Sequence, residues 1–166
     1  MRWTGEASDG LYRRFSGDPT QFEQFCAKLY GCLGYRVEVT PPVADGGFDL
    51  RMFRGGEKIL VECKCFRPTS SVGRPVLQKL FGANAVERAN HLILVTTATF
   101  SKKAIGYARD VGIELVDGLA LVTLCNRVWG GRPPVRGATA QEAQLTLEDH
   151  LSRMPADIRN PRTFLD

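Results

Sequence analysis

Segment 91–97 (HLILVTT) constrains the fold more than any other stretch of the chain, because it is an almost unbroken apolar run. A strand of this kind is typical of a sheet covered on both faces, since a strand with one face in water alternates apolar and polar residues. The run therefore predicts a central strand with helices packed on both sides. A hydrophobic share of 43% and a charged share of 24% are ordinary for a globular domain.

Three helices are predicted from apolar residues at helical spacing and from capping residues. Asp18 and Pro19 begin the first, which Gly34 ends. Pro75 begins the second, which runs to about residue 89 and has a small-residue flank suited to close approach to a sheet. That flank consists of Gly82, Ala85 and Ala89. Ser101 caps the third helix. Its predicted inner stripe is Ala104, Ile105, Ala108 and Val111.

Alternating residues predict three further strands ahead of the central run, at 35–40, 48–53 and 58–65, and a short one after it, at 113–116. Residues 119–128 form a short element of uncertain type. The order α-β-β-β-α-β-α-β joins a hairpin meander to helix crossovers. This order predicts an α/β fold with a mixed β-sheet flanked by helices.

Three units are expected along the chain. Residues 1–17 show no clear period and are interpreted as an arm packed on the rest. Residues 18–129 form the domain itself. Residues 130–137 (GGRPPVRG) are typical of a linker, and an amphipathic helix follows in the tail to residue 166, able to dock on this domain or on a partner.

Composition narrows the class and the compartment. No apolar run approaches the roughly 18 residues that a membrane span needs, and residues 1–10 lack a secretory signal, so a cytoplasmic protein is expected. The five cysteines are scattered with no CxxC pair, which favours buried thiols over disulfides or zinc ligands. The net charge of +4 permits a polyanionic partner without requiring one.

The candidate chemistry lies on the third strand, 58–65 (KILVECKC). Because strand side chains alternate between faces, the odd positions form an apolar face and the even positions carry Leu60, Glu62 and Lys64. An acid and a base about 6.7 Å apart on a buried strand are costly unless they are paired or bind metal. A Glu62–Lys64 ion pair at a strand edge accounts for the pattern, and so does a metal site.

Asp49 adds a second carboxylate from the preceding strand. If the two strands form a hairpin, Asp49 can lie across from Glu62 on the same face. Two carboxylates held close repel each other, and a cation between them best explains that cost. Oxygen ligands with room for water suit Mg²⁺ or Mn²⁺, and such an ion beside Lys64 predicts phosphodiester hydrolysis.

Motifs in a fixed order resemble the Mrr-type branch of the PD-(D/E)xK restriction-endonuclease superfamily. They are FE at 22–23, LGY at 33–35, DGGFDL at 45–50, VECK at 61–64, VG at 72–73, LVTT at 94–97 and IELVDG at 113–118. The resemblance covers roughly residues 19–125, with a spacing that chance would rarely reproduce. It implies a restriction-endonuclease-like fold with an α-β-β-β-α-β core.

The resemblance also implies a set of site residues. Asp49 and Glu62 would bind the divalent metal, and Lys64 would be the catalytic lysine. Glu23 would assist from the first helix, and Gln78 would face the site from the second. Asp45 is a further candidate for tuning the metal, although an aspartate in a turn needs no function.

The chain departs from the family pattern in two ways. Only about 18 residues precede the first helix, too few for the separate DNA-recognition domain that many Mrr-type proteins carry. Glu62 stands where the family often has glutamine, and the acid restores the more general superfamily pattern. We therefore expect an intact site rather than a degenerate one.

The expected function is a metal-dependent DNA endonuclease acting in restriction, another defence or DNA repair. Arg67, Arg74 and Lys79 are candidates for contact with the DNA backbone, or else ordinary surface residues. A homodimer is expected because a double-strand cut needs two active sites, and a targeting partner protein is left open. Two alternatives stand: a non-catalytic nucleic-acid-binding or assembly module with this fold, and a structure-specific nuclease such as a junction resolvase.

Overall fold

The computed structural model describes residues 5–41 and 46–130, and these form helices on both sides of a β-sheet. The helices are α1 Gly5–Phe15, α2 Pro19–Cys32, α3 Arg74–Glu87, α4 Lys102–Val111 and α5 Gly118–Trp129. The strands are β1 Arg36–Val39, β2 Leu50–Arg54, β3 Glu57–Lys64, β4 Ser71–Val72, β5 His91–Thr96, β6 Thr99–Phe100 and β7 Ile113–Val116. Asp45 and the predicted tail helix lie outside the described residues.

The main sheet has the strand order β1-β2-β3-β5-β7, and β4 pairs with β6 in a small separate ribbon. Strands β1, β2 and β3 are antiparallel neighbours, whereas β3, β5 and β7 run parallel. A two-residue turn, Gly55-Gly56, connects β2 to β3, and helices α3 and α4 lie in the connections between the parallel strands. The predicted mixed sheet flanked by helices is confirmed.

Two apolar clusters cover the sheet, one on each face. Ile59, Val61 and Cys63 of β3 lie in the cluster that contains residues of α1, α2 and α5. Leu60 lies in the other cluster, with residues of α3 and α4. Strand β5 contributes to both clusters, which confirms its position as a central strand. Burial of each large aliphatic side chain contributes about 1.5–3 kcal/mol, so β5 anchors both halves of the core.

Capping residues set the helix ends as predicted. The Asp18 carboxylate accepts a hydrogen bond from the Gln21 N–H at 3.2 Å, and the Ser101 hydroxyl accepts one from the Ala104 N–H at 3.1 Å. Each satisfies a backbone donor that the first turn leaves without a helical partner. Beyond α2, Gly34 adopts φ +96°, a conformation that glycine tolerates best, and the chain turns there into β1.

The structure adds helices where the sequence showed no clear period. The segment 1–17, interpreted as an arm packed on the rest, contains helix α1, and residues 119–128 lie in helix α5. Gly82 and Ala85 face solvent rather than the sheet. Leu77 and Leu80 form the packed side of α3 instead, because burying their larger apolar surface stabilises the fold more.

The predicted inner stripe of α4 is also only partly correct. Ala104 and Ala108 are buried, whereas Ile105 is 42% exposed. Ile105 lies about 100° around the helix from Ala104, at the margin of the packed face. No helix in ranges 5–41 and 46–130 combines the length and apolarity needed to cross a bilayer.

An ionic cluster joins α3 to the β2–β3 hairpin. The Glu87 carboxylate accepts hydrogen bonds from the Arg51 guanidinium at 2.7 and 3.0 Å, and from the Lys58 ammonium at 2.6 Å. These two hydrogen-bonded cations lower the pKa of Glu87 to about 2. The cluster ties one helix to two adjacent strands on the face that carries Leu60.

Candidate active site

Two carboxylates face each other where β2 begins and β3 nears its end. In the antiparallel register Leu50 pairs with Val61, so Asp49, one residue before β2, lies opposite Glu62. The Asp49 N–H donates to the Val61 carbonyl at 2.8 Å, and the Asp49 carboxylate accepts from the Cys63 N–H at 2.7 Å. The hairpin geometry predicted for these two acids is therefore present.

The Asp49 carboxylate is held by a main-chain group that sequence patterns did not identify. It accepts from the Cys63 N–H, which any residue at this position except proline could supply. A charge-assisted hydrogen bond of this kind fixes the orientation of the carboxylate. Only the strand register, not the residue type, could have indicated it.

Lys64 completes the β3 part of the site. Its ammonium lies 3.1 Å from a Glu62 carboxylate oxygen. The Glu62 side chain is 10% exposed and that of Lys64 is 34% exposed, so the lysine reaches toward solvent while the acid is buried. The ion pair considered from sequence is present, and Asp49 lies beside the same Glu62.

Helix α2 adds a third acid. The Glu23 carboxyl is hydrogen bonded to Asp49, and Glu62 is likewise within hydrogen-bonding reach of Asp49. Burial, followed by the negative charge of Asp49, raises the pKa of Glu23 and that of Glu62 to about 7 each. Lys64 opposes both shifts. Carboxyl groups this close to one another repel each other when they are ionised.

This donor set fits a hard divalent ion. In ranges 5–41 and 46–130, no three or more His, Cys, Asp or Glu side chains form a group that could hold a metal ion. Mg²⁺ does not require one, because it usually keeps several waters and takes one or two carboxylates together with substrate phosphate oxygens. A cation held by Asp49 and Glu62 would offset the charge repulsion that raises the pKa of Glu62 and of Glu23. No disulfide joins the described cysteines.

The turn before Asp49 packs directly on α3. A Cβ added to Gly47 would lie 3.3 Å from the Lys79 carbonyl oxygen and 3.4 Å from the Ala83 Cβ. Gly47 also adopts φ +81°, which disfavours other residues. Lys79 therefore lies next to the turn that leads to Asp49.

The remaining site residues predicted from sequence lie on the surface. Gln78, Arg74 and Arg67 are exposed. Gln78 forms no side-chain hydrogen bond to the carboxylates within the described part of the chain. The structure thus brings Asp49, Glu62, Lys64 and Glu23 together and leaves Gln78 apart from their hydrogen bonds.

Comparison with protein families places most of the chain in one group. Residues 15–125 match the family model Mrr_cat, described as restriction endonuclease. The type IV methyl-directed restriction enzyme EcoKMrr of Escherichia coli K12 is 35% identical over 127 residues. That match covers 71% of this chain but only 41% of the relative. The chain therefore spans less than half the length of this relative.

Solved structures agree on the fold. The DNA modification-dependent restriction endonuclease AspBHI has a TM-score of 0.60 at 21% identity, covering 90% of this chain and 40% of that one. The MspJI restriction endonuclease, solved in complex with a 27-mer oligonucleotide, has a TM-score of 0.61 at 23% identity. That match covers 87% of this chain and 36% of MspJI. At these identities the likeness concerns the fold.

Proposed function

The chain belongs to the restriction endonuclease family whose model it matches, and on this premise we propose that it is a metal-dependent DNA endonuclease. Members of this family generally use divalent metal ions. The observation that carries the proposal is the placement of Asp49 opposite Glu62 in the hairpin register, with the Lys64 ammonium 3.1 Å from the Glu62 carboxylate.

Each residue has a role that follows from its surroundings. Asp49 and Glu62 would hold Mg²⁺ or Mn²⁺, which would polarise the scissile phosphate and lower the pKa of a bound water. Lys64, paired with Glu62 and partly exposed, would orient the attacking water or stabilise the negative charge that develops on the phosphate. Glu23, hydrogen bonded to Asp49, would help to orient that carboxylate.

Further features of the proposal concern the DNA and the assembly. Lys79, beside the Gly47 turn, and the exposed Arg67 and Arg74 would contact the DNA backbone. A homodimer would supply the two active sites that a double-strand cut needs. The described cysteines are thiols and not disulfides, which favours a reducing compartment such as the cytoplasm. Restriction is the favoured role because EcoKMrr and AspBHI are restriction enzymes, and residues 18–129 would be the catalytic unit.

The proposal is tested by incubating the protein with supercoiled plasmid DNA and Mg²⁺. We expect the wild type to nick or linearise the plasmid and EDTA to stop it. Glu62→Ala and Lys64→Ala should bind DNA and lower the cleavage rate by at least about a hundredfold, because each removes a group that stabilises the transition state. Agarose gels measure the cutting and an electrophoretic shift measures the binding.

A matched control uses another acid of the same sheet. Glu38 of β1 forms an exposed ion pair with Arg36, so Glu38→Gln should cut like the wild type. Equal cutting by wild type, Glu62→Ala and Lys64→Ala would reject the assigned site. DNA binding without any cutting by the wild type would favour the non-catalytic module, and a preference for branched over linear duplex would favour the structure-specific nuclease.

A further inference from the structure

The main chain of Lys64 is held from β5 by a side chain as well as by the sheet. Lys64 is the last residue of β3 and pairs with Thr96, the last residue of β5. The Thr96 hydroxyl donates to the Lys64 carbonyl at 2.7 Å and accepts from the Ala98 N–H at 3.1 Å. Thr96 is 0% exposed, so its hydroxyl has no access to water, and both hydrogen bonds replace ones that water would make.

Thr97 continues this arrangement one residue later. Its N–H donates to the same Lys64 carbonyl at 3.3 Å, and its hydroxyl donates to the Phe66 carbonyl at 2.5 Å. Thr97 is also 0% exposed. The β3–β5 pairing ends at Lys64 and Thr96. Beyond that pair, the Thr97 hydroxyl still links the chain to residue 66.

Helices α1 and α5 both pack against the main chain of Thr97. The Ser8 hydroxyl of α1 donates to the Thr97 carbonyl at 2.7 Å, and this hydrogen bond is buried. Gly118, the first residue of α5, lies so close that an added Cβ would come within 2.4 Å of the same carbonyl oxygen. Thr97 therefore has little freedom to move away from residues 64–66.

We propose that the Thr96 and Thr97 hydroxyls form a clamp on the main chain of residues 64–66 that positions the Lys64 ammonium at the carboxylates. The threonines do not contact the reacting atoms and act through Lys64, so they are positioning residues. Displacement of a catalytic group by about 1 Å can cost a hundredfold in rate. The proposal rests on the proposed function for the statement that Lys64 is catalytic, whereas the clamp itself is a matter of geometry.

The kinetic test compares Thr96→Val, which removes the hydroxyl, with Thr96→Ser, which keeps it. We expect Thr96→Val to lower kcat roughly 10- to 100-fold, as loss of a supporting hydrogen bond commonly does, with little change in KM. Thr96→Ser should recover most of the wild-type rate. Thr123→Val is the matched control, because Thr123 donates to the Leu119 carbonyl at 2.9 Å on an exposed side of α5.

A second measurement does not depend on activity. The chain has six lysines, so labelling with [ε-¹³C]lysine gives six Cε signals, and the Lys64 signal is assigned with Lys64→Arg. Thr96→Val should shift the Lys64 signal and leave the signals of Lys102 and Lys103 in place, whereas Thr96→Ser should shift none. If the wild type cuts no DNA, the proposed function fails and this measurement alone decides the clamp.

Several results would overturn the clamp. One is an unchanged kcat and an unchanged Lys64 signal in Thr96→Val. Another is equal impairment of Thr96→Ser and Thr96→Val, since the hydroxyl would then not be the cause. If Thr96→Val does not fold, Thr97→Val replaces it, because it removes the hydroxyl that donates to the Phe66 carbonyl and is hydrogen bonded to Cys65, both within residues 64–66. A wild-type rate and spectrum in Thr97→Val would then reject the proposal.

Discussion

Glu62 of the candidate site has a raised pKa, and this affects the stability of the protein. Burial and the charge of Asp49 raise the pKa of Glu62 to about 7, from an ordinary value of 4.5. The folded protein therefore binds a proton at Glu62 more tightly than the unfolded chain does. The contribution of protonated Glu62 to the free energy of unfolding is complete below pH 4.5 and is lost as pH rises through about 7.

Glu62→Gln should remove this pH dependence. In EDTA at pH 7.5, we expect the variant to be more stable than the wild type by roughly 1–3 kcal/mol, because the wild type must bury a charge among other acids. The difference should shrink toward pH 5. Urea unfolding at the two pH values measures it.

Addition of Mg²⁺ provides the companion measurement. At pH 7.5 it should raise the melting temperature of the wild type and have little effect on Glu62→Gln, because an ion that binds only the folded state stabilises it. Identical pH profiles of the two proteins in EDTA, together with identical responses to Mg²⁺, would contradict the account of Glu62.

Ion pairs link helix α3 to the β2–β3 hairpin, which positions Asp49 and Glu62. Glu87 of α3 binds Arg51 of β2 and Lys58 of β3, and these partners lower its pKa to about 2. A lowered carboxyl pKa contributes stability above the unfolded value of 4.5, and the contribution is lost as pH falls through about 2. This window lies below that of Glu62, so the two effects are separable.

Glu87→Gln should therefore destabilise the protein at pH 7 by about 1–2 kcal/mol, since it removes a charge bound to two partly buried cations. The difference from the wild type should fade between pH 4.5 and pH 2. Denaturant midpoints across this range measure the effect. Glu38→Gln breaks an exposed pair and should cost well under half as much. An equal loss in both variants would show that the α3 cluster has no special role.

The sequence predicted elements that have a clear period and missed those without one. Strand alternation and the turn were enough to place Asp49 opposite Glu62. Helix α5 escaped recognition because its exposed side is also partly apolar. Leu119 is 69% exposed, so apolar residue type alone does not outline the buried stripe. Glu23 came from family resemblance, because its spacing in α2 alone does not distinguish a site residue from a surface acid.

Helix α1 packs on the same core as the rest of the domain, although most of this helix precedes the family match at residues 15–125. Leu11 is 2% exposed and Phe15 is 5% exposed, and both lie in the main core cluster. Its two buried apolar residues are too few to reveal a helical period, which explains why sequence analysis treated residues 1–17 as an arm.

Leu11→Ala should cost about 2–5 kcal/mol, as other buried leucines do when a cavity replaces them. Arg13 of the same helix is the control, because its side chain is 78% exposed in an ion pair with Asp9. Arg13→Ala should stay within about 0.5 kcal/mol of the wild type. Urea unfolding of both variants decides the point, and similar values for the two would mean that α1 does not contribute to the core.

The contact of Gly47 with α3 restricts the conformation of the turn that leads to Asp49. Since the Lys79 carbonyl and Ala83 confine the turn before Asp49, that segment has little room to adopt other conformations. The entropy of ordering residues 46–48 is then lost when the chain folds and not on binding of a substrate. Under the proposed function the catalytic groups would be preorganised, so interactions with DNA would serve to align the scissile bond instead of ordering this turn.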